Sequence, residues 1–175
     1  VGSEMCIRDR NVTIIGGGNV GLKLAKNLEN LKLNLKIVEK DTARCEYLSQ
    51  ELNNTLIING DGTDLELLNE EDIASSDVVV SVTNNDEKNL LCSLLVKHMG
   101  ASRVISRVSK TTNVELFERV GIDIAISSRT AALNEIKNNI KETNIGILAT
   151  VEQGKGEVLV IDCLLYTSDA ADEAR

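Results

Sequence analysis

The residues best suited to chemistry form a glycine-rich turn, GGGNVG, at positions 16–21. A short β-prone stretch precedes this turn and a helical pattern follows it. In that setting Gly16, Gly18 and Gly21 match G-x-G-x-x-G, in which the glycines permit a tight turn, close approach of backbone N–H groups to a pyrophosphate, and close packing of helix on strand. The helix N-terminus adds partial positive charge facing the phosphates. The pattern predicts a phosphate-binding turn, and a glycine turn that binds nothing is the alternative.

A carboxylate at the end of the second predicted strand supports a nucleotide ligand. Glu39 stands in KIVEKD, 18 residues after Gly21, where a carboxylate can accept hydrogen bonds from both ribose hydroxyls of an adenosine. The same negative charge would repel a 2′-phosphate. The sequence therefore favours NAD(H) or an adenine nucleotide over NADP(H).

Three further segments carry polar residues at the carboxyl ends of strands, where ligands of open α/β sheets bind. Asp61, in NGDGTD, is expected to border the adenine together with Gly62. Thr83 and Asn84, in TNNDEKN, are expected beside the phosphates or the nicotinamide, and Arg107 is expected to meet a phosphate. Turn formation or helix capping is the alternative for each polar residue, since Asn and Asp favour turns.

The sequence offers no group suited to catalysis beside this turn. His98 is the only histidine, and it lies near the end of a predicted helix, where it complements the helix carbonyls. GGGNVGLK lacks the spacing of a P-loop, and no metal-binding cluster or nucleophile–base pair is evident. Hydride transfer needs a second domain that places a substrate carbonyl and an acid–base group against the nicotinamide. We therefore expect a ligand-binding module, not an enzyme.

These residues are positioned by short apolar, β-rich segments that alternate with helical patterns. Most of the segments are apolar on both faces, which is typical of strands buried between two helical layers. Five repeats of strand, helix and strand predict a doubly wound, Rossmann-like parallel α/β sheet with right-handed crossovers. Gly100 and Gly121 are expected to end two of the helices in the left-handed conformation. The predicted strands are 12–15, 35–38, 55–58, 77–82, 104–108 and 123–126.

Helical spacing relates Val20, Leu24, Leu28 and Leu31 and, in a second helix, Cys45, Leu48 and Leu52. Further helices are predicted at 89–99, 114–120 and 129–141. The pattern then changes, because 147–151 and 158–161 flank EQGKG as a predicted hairpin. A second module is therefore expected to begin near Thr143.

The two ends of the chain do not read like folded protein. One DNA sequence can encode Met5–Asp9 on one strand and, shifted by one base, Leu164–Ser168 on the other, as in adapters used to prepare sequencing libraries. Residues 1–10 and 163–175 are therefore expected to be adapter-derived, enclosing a fragment of a longer protein. A natural N-terminus and an acidic tail are the alternative.

Composition excludes several classes of function. The formal net charge is −8, and the last 13 residues carry −2 of it, so that −6 remains. This acidity argues against nonspecific nucleic-acid binding, which needs a basic surface. Cys45 and Cys92 lack metal-ligand spacing and suit a reduced, cytosolic compartment. No apolar run approaches the ~20 residues of a membrane span.

Together the loops resemble the TrkA family of regulators of bacterial potassium uptake, whose domain is called RCK or KTN, and most of all the second nucleotide-binding half of its members. The resemblance runs in order from Val12 to Asp162. It implies an NAD-binding RCK_N domain at 11–143 and the start of an RCK_C region at 144–162. It is carried by TIIGGGNVGLKLAKNLE, KIVEKD, INGDGTDLELLNEEDI, VVVSVTNNDEKNLLCSLLVKHMGASRVISRV and GIDIAISSRTAALNEI.

The resemblance implies a nucleotide-sensing regulatory subunit that binds NAD⁺ or NADH, with ATP or ADP the alternative, and gates K⁺ transport. It also implies dimers and higher rings that lie on the cytoplasmic face of the membrane, bound to a Trk-type channel subunit. Ser128 stands where proline is frequent in the family, which leaves the geometry of the following helix open. Carried onto this sequence, the site residues are Gly16, Gly17, Gly18, Asn19 and Val20 in the phosphate loop, Glu39 at the ribose, and Thr83, Asn84 and Arg107, with Asp61 a weaker transfer.

Two other interpretations stay open from the sequence. The chain could be a fragment of an NAD-dependent dehydrogenase that lacks its substrate domain, or a Rossmann domain that only scaffolds partners.

Overall fold

The computed structural model describes residues 10–31, 33–140, 145–151 and 156–161. The chain divides after Arg129 into two compact units, each described by itself below. The expected adapter ends lie outside the described residues except for Arg10, as does the EQGKG turn except for its last glycine.

The first unit is built on a six-stranded sheet in the order β3-β2-β1-β4-β5-β6, and every neighbouring pair is parallel. This order and the flanking helices confirm the predicted doubly wound α/β fold, because the direction of strand order reverses between β1 and β4. The strands are β1 Asn11–Ile15, β2 Asn34–Glu39, β3 Thr55–Asn59, β4 Val78–Ser81, β5 Val104–Val108 and β6 Ile124–Ser127.

Side-chain caps and glycines mark the ends of several helices of this unit. Asp41, Asp64 and Asn85 cap three of them, each accepting a hydrogen bond from a backbone N–H of the first turn. Gly100 and Gly121, with φ of +109° and +105°, directly follow two helix ends, as predicted. The helices are α1 Asn19–Glu29, α2 Thr42–Glu51, α3 Leu65–Glu70, α4 Asp86–His98 and α5 Val114–Arg119.

Helix α4 begins three residues before its predicted start at Asn89. The reason is the Asn85 cap, whose side-chain oxygen accepts a 2.8 Å hydrogen bond from the Lys88 N–H. Asp86 and Glu87 then fill the first turn, where acidic side chains complement the helix dipole. The earlier start brings the amino end of α4 to the loop that carries Thr83 and Asn84.

The sheet has an apolar core on each face. Ile14, Ile37 and Leu48 pack in the layer that includes α1 and α2. Val79 and Val96 belong to the opposite layer with α4 and α5. Strand β1 is buried at all four positions from Val12 to Ile15, as expected for a central strand covered on both sides.

Two sequence expectations differ from the structure. In α1 the buried side chains are Leu22 and Ala25, and Leu24 and Leu28 pack against the same core. Val20 is exposed, as is Leu31 beyond the end of the helix. The edge strands are also less covered than the pattern suggested: Leu56 on β3 and Ile126 on β6 are about half exposed.

The second unit contains two antiparallel strands, β7 Ile145–Val151 and β8 Gly156–Ile161. They confirm the predicted strand pair, and each begins two residues earlier than the pattern indicated. A register irregularity lies between Ile147 and Ala149. Helix α6, Ser128–Ile140, contains the division between the units. Across the described ranges, no helix combines the length and apolar character needed to cross a membrane.

Candidate nucleotide site

The candidate site is a groove of about 210 Å³ at the carboxyl ends of the strands of the first unit. It lies where the strand order reverses between β1 and β4, the position at which doubly wound sheets bind ligands. Seven of the residues predicted from the sequence line it, namely Gly16, Gly18, Glu39, Asp61, Gly62, Thr83 and Asn84, and the other lining residues include Lys40, Lys88 and Cys92.

Gly16 makes the turn that opens this groove. Its φ is +109°, a conformation that residues with a side chain rarely adopt. A Cβ at this position would also lie 3.0 Å from the Thr83 nitrogen. The Gly16 N–H donates a 2.8 Å hydrogen bond to the Val38 carbonyl, so the turn bridges β1, β2 and the loop after β4.

The other glycines of the turn have separate roles. A Cβ on Gly21 would lie 2.0 Å from the Gly16 carbonyl oxygen, so only glycine lets α1 approach the turn this closely. Gly18, at the N-cap of α1, has nothing within 4 Å of its Cβ position. Its absent side chain therefore leaves space free on the side where a phosphate would approach. The first turn of α1 receives no side-chain cap from Gly18, which suits an anion as the partner of its N–H groups.

Asn19 and Val20, also predicted for the phosphate loop, form the first turn of α1 and are exposed. Arg44 braces this turn from α2, because its Nε donates a 2.7 Å hydrogen bond to the Gly17 carbonyl. Its guanidinium also lies 4.8 Å from the centre of the Tyr47 ring. Sequence reasoning missed Arg44, since no local pattern relates it to a turn 27 residues earlier.

Glu39 is held at the end of β2 by two backbone N–H groups. Its Oε2 accepts a 2.6 Å hydrogen bond from Gly17, and its Oε1 accepts a 3.0 Å bond from Asp41. A carboxylate has about four acceptor positions, so both oxygens keep capacity for ribose hydroxyls. The arrangement fixes the carboxylate beside the glycine turn, where the sequence predicted it.

Asp61 lies in the loop after β3 and lines the same groove. Its carboxylate pairs with the Lys40 ammonium at 2.9 Å and accepts hydrogen bonds from the Thr63 N–H and hydroxyl. These donors, Lys40 first, lower the pKa of Asp61 to about 2. Asp61 is therefore both an element of the groove and a turn-forming residue, the two interpretations that the sequence left open.

Thr83, Asn84 and Arg107 meet on the other side of the glycine turn. The Arg107 Nη1 donates to the Asn84 Oδ1 at 3.1 Å and to the Thr83 carbonyl at 3.3 Å. Its Nε is buried without a partner among the described residues. Arg107 does not line the groove directly.

Asn89 and Lys88, on the first turns of α4, were missed by sequence reasoning as site residues. Asn89 is fully buried and hydrogen-bonds to both Thr83 and Arg107. The available signal was its place with Cys92, Ser93 and Val96 at helical spacing on the buried face of α4. Lys88 lines the groove beside Cys92, a buried thiol whose pKa is raised to about 11 by burial.

His98 and the groove are separated along α4. His98 ends α4, ten residues beyond Lys88, which corresponds to about 15 Å along a helix axis. Among the described residues no three His, Cys, Asp or Glu side chains form a cluster that could hold a metal ion. The groups that do meet at the groove are the glycine turn at Gly16–Gly21, the hydrogen-bonded carboxylate of Glu39 and the ammonium groups of Lys40 and Lys88.

Fold and site together define a Rossmann-like domain with a groove of the dinucleotide-binding type. The TrkA-N domain matches residues 12–128 of the sequence, and the chain belongs to this family. The Trk system potassium uptake protein TrkA homolog 2 of Methanosarcina mazei is 48% identical over 159 residues, which cover 90% of this chain. The same alignment covers only 35% of that protein, so the chain spans about a third of such curated relatives.

Solved structures show the same fold. The GsuK channel bound to NAD has a TM-score of 0.65 and 19% identity, covering 86% of this chain and 26% of that one. GsuK bound to ADP has a TM-score of 0.65 and 18% identity, and the match covers 78% of this chain and 35% of that one. At these identities the likeness concerns the fold alone.

Proposed function

We propose that this chain is the nucleotide-sensing part of a regulatory subunit of a Trk-type potassium uptake system. In this proposal it binds NAD⁺ or NADH, with ATP or ADP the alternative, and the bound nucleotide gates K⁺ transport. The observation that carries the proposal is the pairing of Glu39 with the glycine turn, since the Gly17 N–H donates to Oε2 at 2.6 Å. It supports the proposal because a carboxylate able to accept ribose hydroxyls is held directly beside a turn suited to phosphate.

The proposed ligand lies across the carboxyl edge of the sheet. The adenosine rests on the β2 and β3 side, with its ribose hydroxyls on Glu39 and its base near Asp61 and Gly62. The pyrophosphate rests on Gly16–Val20 at the amino end of α1. Thr83, Asn84 and Arg107 then receive the distal phosphate or the nicotinamide half. Family membership and the NAD- and ADP-bound GsuK structures support these two classes of nucleotide.

Glu39 makes NADP(H) the disfavoured ligand. A 2′-phosphate would approach a carboxylate that backbone N–H groups already hold in place.

The proposed gating depends on a difference in nucleotide affinity between two arrangements of the assembled subunits. A nucleotide that binds one arrangement of the assembled subunits better than another shifts their populations, and only that difference can be passed to a channel. The proposed assembly is a homodimer or a larger ring on the cytoplasmic face of the membrane, in contact with a Trk-type channel subunit. The names of the potassium uptake relatives support this partner.

Extending the gene in both directions distinguishes this proposal from a dehydrogenase fragment. A second nucleotide-binding unit upstream, an RCK_C region downstream or a Trk channel gene beside it is the expected result. A downstream domain carrying an acid–base pair for hydride transfer would contradict the proposal. Potassium uptake by cells that carry the extended gene, with and without Glu39→Ala, then measures whether the site controls transport.

A further inference from the structure

Asn89 is the polar residue through which the β4 and β5 sides of the groove are joined. We propose that it is a positioning residue that sets up the half of the site reached only by a dinucleotide or a polyphosphate. The inference rests on the proposed function and assigns a role to a residue that does not line the groove.

The Asn89 side chain uses its full hydrogen-bonding capacity. Its Oδ1 accepts from the Thr83 N–H at 2.8 Å and lies 2.6 Å from the Thr83 hydroxyl. Its Nδ2 donates to the Thr83 carbonyl at 3.1 Å and to the Arg107 carbonyl at 3.0 Å. A neutral amide offers two donors and two acceptor positions. Because the side chain is fully buried, water cannot replace these partners.

These bonds fix two backbone segments beside the groove. They hold the backbone of Thr83, whose nitrogen lies 3.0 Å from the Cβ position of Gly16, and so keep the loop against the glycine turn. They also hold the backbone of Arg107, whose guanidinium reaches the Thr83 carbonyl and Asn84. Loss of Asn89 would remove the buried hydrogen bonds between the two loop ends and leave the Arg107 side-chain bridge and strand pairing there.

A second contact joins the amino end of α4 to the residue that follows β5. The Asp86 carboxylate accepts the Ser109 N–H with both oxygens, at 2.9 and 3.0 Å. Asp86 thus anchors the chain just past the end of β5, whereas Asn89 links the end of β5 to the ligand-facing loop. Its hydrogen bonds reach both Thr83 after β4 and Arg107 on β5.

The order of the strands in the sheet predicts which ligands should depend on Asn89 for their binding. Glu39 on β2 and Arg107 on β5 are separated by β1 and β4, three strand spacings or about 14 Å. An AMP molecule held at Glu39 and the glycine turn does not need the β4 and β5 side. NADH has a second nucleotide half that extends there. Loss of Asn89 should therefore weaken the binding of NADH far more than the binding of AMP.

The test compares Asn89→Ala, Asn89→Ser and wild type by calorimetric titration with NADH and with AMP, below each protein's unfolding temperature. Ser93→Ala is the matched control, because Ser93 lies one turn further along α4, is equally buried and has a hydroxyl without a partner among the described residues. The Asn89 variants should bind NADH about tenfold more weakly, as expected for one lost ligand contact. AMP affinity should stay within about twofold in all variants.

If a folded Asn89 variant binds NADH and AMP more weakly by the same factor, the inference is overturned. Unchanged NADH affinity would also overturn it. The same selective loss in Ser93→Ala would also overturn it, since the effect would then belong to the packing of α4. If neither Asn89 variant folds, the residue serves the fold alone and the inference is wrong. Failure of folded wild-type protein to bind either ligand instead contradicts the proposed function itself.

Discussion

The Gly17 amide and the Glu39 carboxylate, 22 residues apart, are joined by a hydrogen bond of 2.6 Å. The bond connects the turn after β1 to the end of β2, and a Cβ on Gly17 would lie 3.2 Å from the Glu39 Cβ and 2.4 Å from Leu48. The carboxylate is therefore part of the construction of the turn as well as a ribose acceptor. Substitutions at Glu39 should affect both.

Replacing Glu39 with Ala should weaken NADH binding by about tenfold or more, because the ribose acceptor is lost and the Gly17 N–H loses its partner. Affinity for NADPH should fall less, since the repulsion of the 2′-phosphate disappears with the carboxylate. Calorimetric titration with both ligands measures the ratio. Glu39→Gln is the control that keeps the shape without the charge, and it should shift the NADH to NADPH preference in the same direction. Unaltered NADH affinity in Glu39→Ala would disprove the ribose assignment.

Gly21→Ala and Gly18→Ala should separate the two roles of the glycine turn. A methyl group on Gly21 would meet the Gly16 carbonyl oxygen at 2.0 Å, so this variant should lose about 1–3 kcal/mol of stability and also bind nucleotide poorly. A methyl group on Gly18 meets nothing within 4 Å. That variant should keep the thermal midpoint of wild type yet bind NADH more weakly, because the methyl group occupies the approach of the pyrophosphate. Wild-type affinity in a stable Gly18→Ala variant would place the phosphates elsewhere.

Asp61 should make stability depend on pH in the acid range. Its pKa is lowered from 3.8 to about 2, chiefly by Lys40 and then by Thr63. A carboxyl with a lower pKa in the folded state adds stability above its unfolded pKa, and this stability is lost as pH falls through the folded pKa. Asp61→Asn should therefore be less stable than wild type at pH 7, and the difference should shrink between about pH 4 and pH 2.

Thermal unfolding of both proteins from pH 7 down to pH 2 measures this difference. Lys40→Ala serves as the partner control and should reduce the same pH dependence without removing the bonds from Thr63. A difference between wild type and Asp61→Asn that stays constant with pH would show that the carboxylate charge does not stabilise the loop.

The sequence was sufficient for the fold and for the loops that line the groove because their signals are local. Gly16, Gly18 and Gly21 follow a strand and open a helix, and Glu39 ends the next strand, so the four positions are fixed by connectivity alone. The alternation of apolar segments with helices was likewise enough for the six-stranded parallel sheet.

Tertiary contacts account for what the sequence did not indicate. The Asn89 bond to Arg107 spans 18 residues and the Arg44 bond to Gly17 spans 27, and neither pair lies in a motif. In α1 the periodic set was right for Leu24 and Leu28, which pack against the core, and wrong for Val20, which is exposed. Asp61 illustrates the remaining case, in which one residue forms the turn and also lines the groove.

The most direct test of the account is a calorimetric titration of the purified 175-residue chain with NADH and, separately, with ATP, after circular dichroism has shown that it is folded. We predict saturable binding of at least one of them with one site per chain, and weaker binding of that ligand by Glu39→Ala. A folded chain that binds neither nucleotide would contradict the proposal that this groove senses a nucleotide.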